Sequence, residues 1–278
     1  MLRSMITAAN TMNQLHQQLD VISHNIANIN TTGYKKREAT FGELLVQQFD
    51  NLPAQDEAPR LTPNGIRQGV GAKLASTNIQ LKQGSIMKSD RPLDLAFTKE
   101  GQFFRVLVDE NGTQTIRYTR DGAFYFSPSA ADPDELMLVT ADGHMVLDSN
   151  NEPILIRDGF KEIQITPNGT INVIDPNGNI VQTEQLGVTT ILRPQLLQSV
   201  GDNLLALPDG VNEADVAVDM TGNLRGQIQL QQYALEQSNV ELATEMSELM
   251  ITQRSYQMNA RAITLSDQMM GLINGIRS

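Results

Sequence analysis

At both ends of this chain apolar residues return every three or four positions, and they do so for many turns. From the N-terminus the series runs Leu2, Met5, Ala9, Met12, Leu15, Leu19, Ile22, Ile26 and Ile29. That spacing puts the whole series on one face of an α-helix. Gln14, Gln17, Gln18 and Asp20 fall on the other side. The stripe is therefore narrow, as in a coiled-coil seam rather than the broad flank of a globular core. The helix is expected to stop near Asn30-Thr31-Thr32-Gly33, because Gly33 can adopt the left-handed conformation that ends helices.

The C-terminal end repeats the pattern. Leu242, Met246, Leu249, Gln253, Tyr256, Ala260, Ile263, Asp267 and Met270 step by four and three. Gln253 and Asp267 interrupt the seam, and polar seam residues cost stability while fixing register or partner number. Good helix formers dominate from Leu235 to Ile273, and no proline follows Pro208. A helix of roughly 35 residues would be about 50 Å long. Two such helices, far apart in sequence, cannot each bury a stripe alone, and single helices are marginal in water. The simplest solution pairs them with each other and then with neighbouring copies.

The middle reads as β-structure. Glu162–Thr166 and Thr170–Ile174 alternate, divided by Pro167-Asn168-Gly169 and followed by Pro176-Asn177-Gly178. Alternation bounded by Asn-Gly is a strong hairpin signal. Asp121-Gly122 and Asp142-Gly143 are further expected hairpin turns. The stretch Phe49–Gly71 holds Pro53, Pro59, Pro63, Gly65, Gly69 and Gly71, and reads as a connector. The expected fold is α+β: long N- and C-terminal helices pairing as a coiled-coil stem, with an inserted antiparallel mainly-β domain. Residues 1–34 with 235–278 form the helical assembly domain, 35–74 the extended connector and 75–234 the β core.

Charge and motif content narrow the function. A net charge of −11 disfavours nucleic acid and anionic lipid as partners, since both would repel the chain. No cysteine is present, which removes disulfides, thiolate metal sites and cysteine nucleophiles. No apolar run approaches the roughly 18 residues of a membrane span. The N-terminus lacks a signal-peptide h-region, so export would need a route without cleavage. His16, His24 and His144 stand in no metal-binding spacing. GxSxG, GxGxxG and GxxxxGK[ST] patterns are all missing from the sequence. Asp132-Pro133-Asp134-Glu135 reads as a solvated loop and Asp109-Glu110-Asn111-Gly112 as a turn. No enzyme, cofactor or metal site is expected.

Two passages carry a family resemblance. Ser23-His24-Asn25-Ile26-Ala27-Asn28-Ile29-Asn30-Thr31-Thr32-Gly33-Tyr34-Lys35 resembles the N-terminal signature of flagellar rod and hook proteins. Ser238-Asn239-Val240 and Gln253-Arg254-Ser255-Tyr256-Gln257-Met258-Asn259-Ala260 resemble their C-terminal signature. Leu93–Phe97 with Gly101–Phe104 is similar to the family's first core strand pair, although Lys99-Glu100 precede Gly101. His24 also departs from the family, whose members more often carry a small residue or Asn there. Within the family, Leu61–Gly71 is most similar to the connector of distal-rod members.

The resemblance implies a subunit exported by the flagellar secretion apparatus without a cleaved signal. It implies a hollow helical homopolymer in the basal body, with terminal helices inside and the β domain outside, transmitting torque alongside other rod and hook proteins. No membrane insertion is implied. The assembly residues would be the N-terminal stripe with Asn25, Asn28, Asn30 and Gly33, and the C-terminal stripe with Asn239, Arg254 and Asn259. Capping and turn chemistry already account for Asn30 and Gly33. Asn25 and Asn28 lie where asparagine is a mediocre helix former, so their amides are expected to bind backbone of the connector or of a neighbour. The alternatives are a secreted binding module on a coiled-coil stalk or, within the family, a hook or proximal-rod component. Closed oligomers of fixed size would mark the stalked module; open filaments mark the polymer.

Overall fold

The computed structural model describes residues 2–43, 46–49, 66–69, 72–110, 112–129, 132, 134–201, 203–208 and 210–277. They form two compact units, each discontinuous in sequence. One comprises Met1–Ile26, Arg37–Asn78 and Leu242–Ser278; the other comprises Ala27–Lys36 and Ile79–Glu241.

The first unit holds both long helices. The N-terminal helix spans Leu2–Ala27. Ala8, Ile22 and Asn25 are buried, while Met5, Met12, Leu15, Leu19 and Ile26 are half-buried. The spacing predicts this burial at Met5, Met12, Leu15, Leu19, Ile22 and Ile26, whereas Ala9 is exposed and the Leu2 side chain lies outside what the structure describes. The helix ends short of Asn30, so Ile29 lies beyond it. Asn28 supplies the reason: its backbone carbonyl accepts from Thr31 N–H and its Oδ1 from Thr31 Oγ1. Local polar bonds of this kind compete with helix propagation.

The C-terminal helix spans Leu242–Arg277, 36 residues. Its covered face carries Glu245, Thr252 and Ser266, all buried, with Leu249, Tyr256, Asn259, Ala260, Ile263 and Met270 half-buried. The stripe drawn from sequence shares Leu249, Tyr256, Ala260, Ile263 and Met270 with this face, but its other members do not lie there: Met246, Gln253 and Asp267 are exposed, as is Leu242. The row that is buried instead, Glu245, Thr252 and Ser266, is polar, so apolar spacing does not mark it.

Four strands complete this unit: β1 (Arg37–Glu43), β2 (Val46–Phe49), β3 (Ile66–Gly69) and β4 (Ala72–Ile79). β1 pairs with β4, and β2 runs antiparallel to β3. Parts of the expected connector are thus strands. Residues 50–65, with most of Leu61–Gly71, lie outside the described residues, as do Pro133 and Asn111 of the two acidic turns.

The second unit is mainly β. Its strands are β5 (Ile86–Lys88), β6 (Leu95–Phe97), β7 (Gln102–Glu110), β8 (Thr113–Thr119), β9 (Tyr125–Pro128), β10 (Glu135–Val139), β11 (Met145–Val146) and β12 (Leu155–Arg157). They continue as β13 (Glu162–Ile165), β14 (Thr170–Ile174), β15 (Ile180–Gln185), β16 (Val188–Ile191), β17 (Gln198–Gly201), β18 (Leu204–Ala206), β19 (Ala217–Asp219), β20 (Leu230–Gln232) and β21 (Ala234–Glu236). The largest sheet runs β12-β10-β11-β7-β8-β18-β17, with β9 beside β10 and β16 joining β7 to β19. The meander β13-β14-β15 is separate, as are the ribbons β6–β20 and β5–β21. Strand content extends to Glu236. The three-residue strands of 217–236 are too short to show a period.

Apolar burial follows the alternation. Ile163, Ile165, Ile171 and Val173 point inward from β13 and β14. At the centre Phe104 packs against Phe97 at 4.3 Å and edge-on to Phe124 at 5.0 Å between ring centroids. Burial of each such ring contributes about 1.5–3 kcal/mol. The turns at Gly169, Gly178 and Gly143 join β13–β14, β14–β15 and β10–β11 as expected, each glycine at positive φ. Asp121-Gly122 does not make a hairpin: β8 pairs with β7 and β18, and β9 with β10. Gly122 serves close approach instead. Its carbonyl accepts from Leu95 N–H, and a Cβ there would stand 1.8 Å from the Leu95 oxygen.

Candidate assembly site

The asparagine-rich turn after the N-terminal helix is built into the β unit. Gly33 has φ +67°, and a Cβ on it would meet the Asp121 nitrogen at 2.5 Å. Only glycine fits both the conformation and the space. Its N–H donates to the Glu236 carbonyl at 2.8 Å. Beside it, Thr32 Oγ1 donates to Asp121 Oδ1 at 2.8 Å, and Asn203 Nδ2 donates to the Thr32 carbonyl at 2.9 Å. Burial raises the Asp121 carboxyl above its ordinary value; the Thr32 and Ala123 hydrogen bonds act against that.

Beyond the turn, Lys35 enters a buried charge cluster. Its Nζ lies 2.6 Å from Glu236 Oε1 and donates to the Lys82 carbonyl at 2.9 Å. Arg120 Nε lies 2.6 Å from the other Glu236 oxygen, and its remaining N–H groups go to the carbonyls of Gln102 and Lys99. Gly84 N–H donates to Glu236 Oε1 at 2.9 Å. Two cations thus share one carboxylate. Burial pulls Lys35 and Arg120 below their ordinary values. Burial pushes Glu236 up, but Arg120 and Lys35 outweigh it and hold the carboxyl below its usual range.

Asn239 closes the arrangement. Its Oδ1 accepts from Lys36 N–H at 2.6 Å, and its Nδ2 donates to the carbonyls of Gln80 and Lys82, each at 2.9 Å. The N- and C-terminal signature passages therefore meet within the β unit, through Gly33–Lys36 on one side and Glu236–Asn239 on the other.

In the helical unit Asn25 does the comparable work. Its Oδ1 accepts from Arg37 N–H at 3.0 Å and its Nδ2 donates to the Arg37 carbonyl at 2.9 Å. One carboxamide thereby satisfies both polar groups of a connector residue. The same Nδ2 lies 3.1 Å from Glu245 Oε2 on the C-terminal helix. Asn28 sits in the turn, Asn30 and Arg254 are exposed, and Asn259 donates back to the Ser255 carbonyl of its own helix.

Opposite its covered face, the C-terminal helix carries a second apolar row. Ile251, Met258, Leu265 and Leu272 recur every seven residues and are 63%, 65%, 59% and 69% exposed. Met269 and Ile273 flank them, also exposed. This row was present in the sequence, interleaved with the stripe that the three-four spacing picked out. Glu236 and Arg120 carried no comparable signal, since nothing local marks a carboxylate that two distant cations will share.

Among the described residues no group of three or more His, Asp or Glu side chains is placed to hold a metal ion, and no helix is long and apolar enough to cross a membrane. A cleft of about 480 Å³ lies between Asp148, Glu152, Leu155 and Gln182. The Asp148 carboxylate there is engaged by the backbone N–H groups of Asn150 and Glu152.

Comparison with known proteins bears on the same segments. Residues 5–35 match the family model of flagella basal body rod proteins, 98–173 that of the flagellar hook protein FlgE/F/G D1 domain, and 231–276 that of the flagellar basal body rod FlgEFG protein C-terminal region. The flagellar hook-basal body complex protein FlhP of Bacillus subtilis is 46% identical over the full length of both chains. The flagellar basal-body rod protein FlgG of Caulobacter vibrioides is 31% identical over the full length of both. That of Borreliella burgdorferi is 30% identical over all of this chain and 99% of its own.

Proposed function

The chain belongs to the flagellar basal-body rod and hook family, close to its distal-rod members, and from that premise we propose that it polymerises into the hollow helical tube that carries torque along the rod. It is a structural subunit of the flagellar basal body. The observation that carries the polymer reading is the uncovered row Ile251, Met258, Leu265 and Leu272. Exposed apolar surface at heptad spacing favours a helical partner. A neighbouring copy whose helix packs there makes a heterologous contact that does not close on itself, which generates an open filament.

The helical stem belongs to the same proposal. The Asn25–Glu245 bond ties the last turns of the N-terminal helix to the first turn of the C-terminal one. An antiparallel pair growing from that point would cover the matching stripes on both helices. Export without a cleaved signal, and contact with other rod and hook subunits, follow from the reading. It also assigns the chain a mechanical rather than a catalytic role.

The test is mass spectrometry of purified hook–basal bodies from the source bacterium, with a deletion strain as control. The chain should be present at a stoichiometry comparable to other rod subunits, and the deletion strain should be non-motile. Its absence from clean preparations, with closed oligomers of fixed size in solution, would favour the stalked binding module instead.

A further inference from the structure

The uncovered side of the C-terminal helix is rich in one residue type. Met246, Met250, Met258 and Met269 are all exposed there; elsewhere among the described residues only Met87 is an exposed methionine. Met220, in the β core, is buried. We propose that these helix methionines are a redox modification site, oxidised by peroxide in the unassembled subunit, and that their sulfoxides block polymerisation. The inference rests on the polymer reading above.

The chemistry needs only peroxide. A thioether lone pair attacks one peroxide oxygen, the O–O bond breaks, an S–O bond forms and water leaves. Sulfur loses two electrons and peroxide gains them. A flexible apolar side chain becomes a polar, chiral one. Susceptibility follows exposure, so these four react before Met220. Met258 is the most consequential, because it sits in the strict heptad row between Ile251 and Leu265. A knob that must enter an apolar hole would carry a sulfoxide oxygen without a partner. In a finished polymer the same side chains would be covered, so the vulnerable period is between synthesis and incorporation. Methionine sulfoxide reductases reverse the change.

The experiment uses the full-length chain, treated with hydrogen peroxide and mapped by peptide mass spectrometry. Incorporation onto purified basal-body seeds is then measured before and after reductase treatment. The expected result is oxidation of the four helix methionines ahead of Met220, a fall in incorporation of roughly tenfold or more, from one unsatisfied polar group per contact, and recovery after reduction. Measured against each protein's own untreated level, the loss of incorporation on peroxide treatment should shrink for Met258→Leu and vanish for the fourfold Met→Leu variant. Recovery by reductase tests the same point if the fourfold variant misfolds. Normal incorporation of fully sulfoxidised protein would overturn the inference while leaving the polymer reading intact. Failure of untreated protein to incorporate overturns that reading and takes the inference with it.

Discussion

Glu236 shows at the scale of one residue how much rests on charge pairing. Its carboxylate answers both Lys35 and Arg120 out of reach of water. Removing one member of such a buried set costs about 3–5 kcal/mol, because uncompensated charge is left inside. Glu236→Gln should therefore melt well below the parent at neutral pH. The folded-state carboxyl is held below its ordinary value. Its stabilisation is thus fully present above the unfolded carboxyl pKa and disappears as pH falls through the folded one. Melting curves taken across that acid range should converge; a gap unchanged in strong acid would refute the assignment. Lys35 acts oppositely: burial lowers its pKa, so its cost is present at neutral pH and is relieved as pH rises through the lowered value. Gly33→Ala should lower the melting temperature by on the order of 10 °C, from about 3 kcal/mol of left-handed strain and overlap with Asp121. An unchanged melt would count against the tight turn. The need for Gly33 could be read from Asn30–Gly33 as a turn. The partnership of Lys35 with Glu236 could not, because 201 residues separate them.

Elements were legible where their period was long or their turn chemistry local. The long helices announced themselves by three-four spacing, and the Asn-Gly turns placed β13, β14 and β15. Failures had physical causes. The C-terminal helix was legible only in part because Glu245, Thr252 and Ser266 on its covered face are polar, and the exposed row at Ile251 shared the same sequence. Asp121-Gly122 carried hairpin chemistry, yet its glycine is required for contact with Leu95. A substitution on the exposed row separates assembly from folding. Leu265→Lys removes nothing from the interior, so thermal stability should change by no more than about 0.5 kcal/mol. Incorporation into filaments, scored by electron microscopy and motility, should nevertheless be lost. A variant that melts normally and still swims would show that the row is not an interface.

At the scale of the whole molecule, sequence order and spatial grouping part company. The chain's two ends return to one unit, and residues 27–36 leave the helices to join the β unit. A fragment covering 27–241 should keep a cooperative melt and the near-ultraviolet signature of the Phe97–Phe104–Phe124 core, yet form no filament. Collapse of that signature would mean that the β unit depends on the helices. The helix-flanked β plan was visible from patterning alone, whereas membership of residues 27–36 was not, since it depends on bonds to Asp121, Asn203 and Asn239 made across the fold. Those bonds bear on mechanics. Two of the segments beside which the chain leaves the β unit, Gly33–Lys36 and Glu236–Asn239, are fastened directly to each other. Tension drawn through one terminal segment can thereby pass to the other across that clasp.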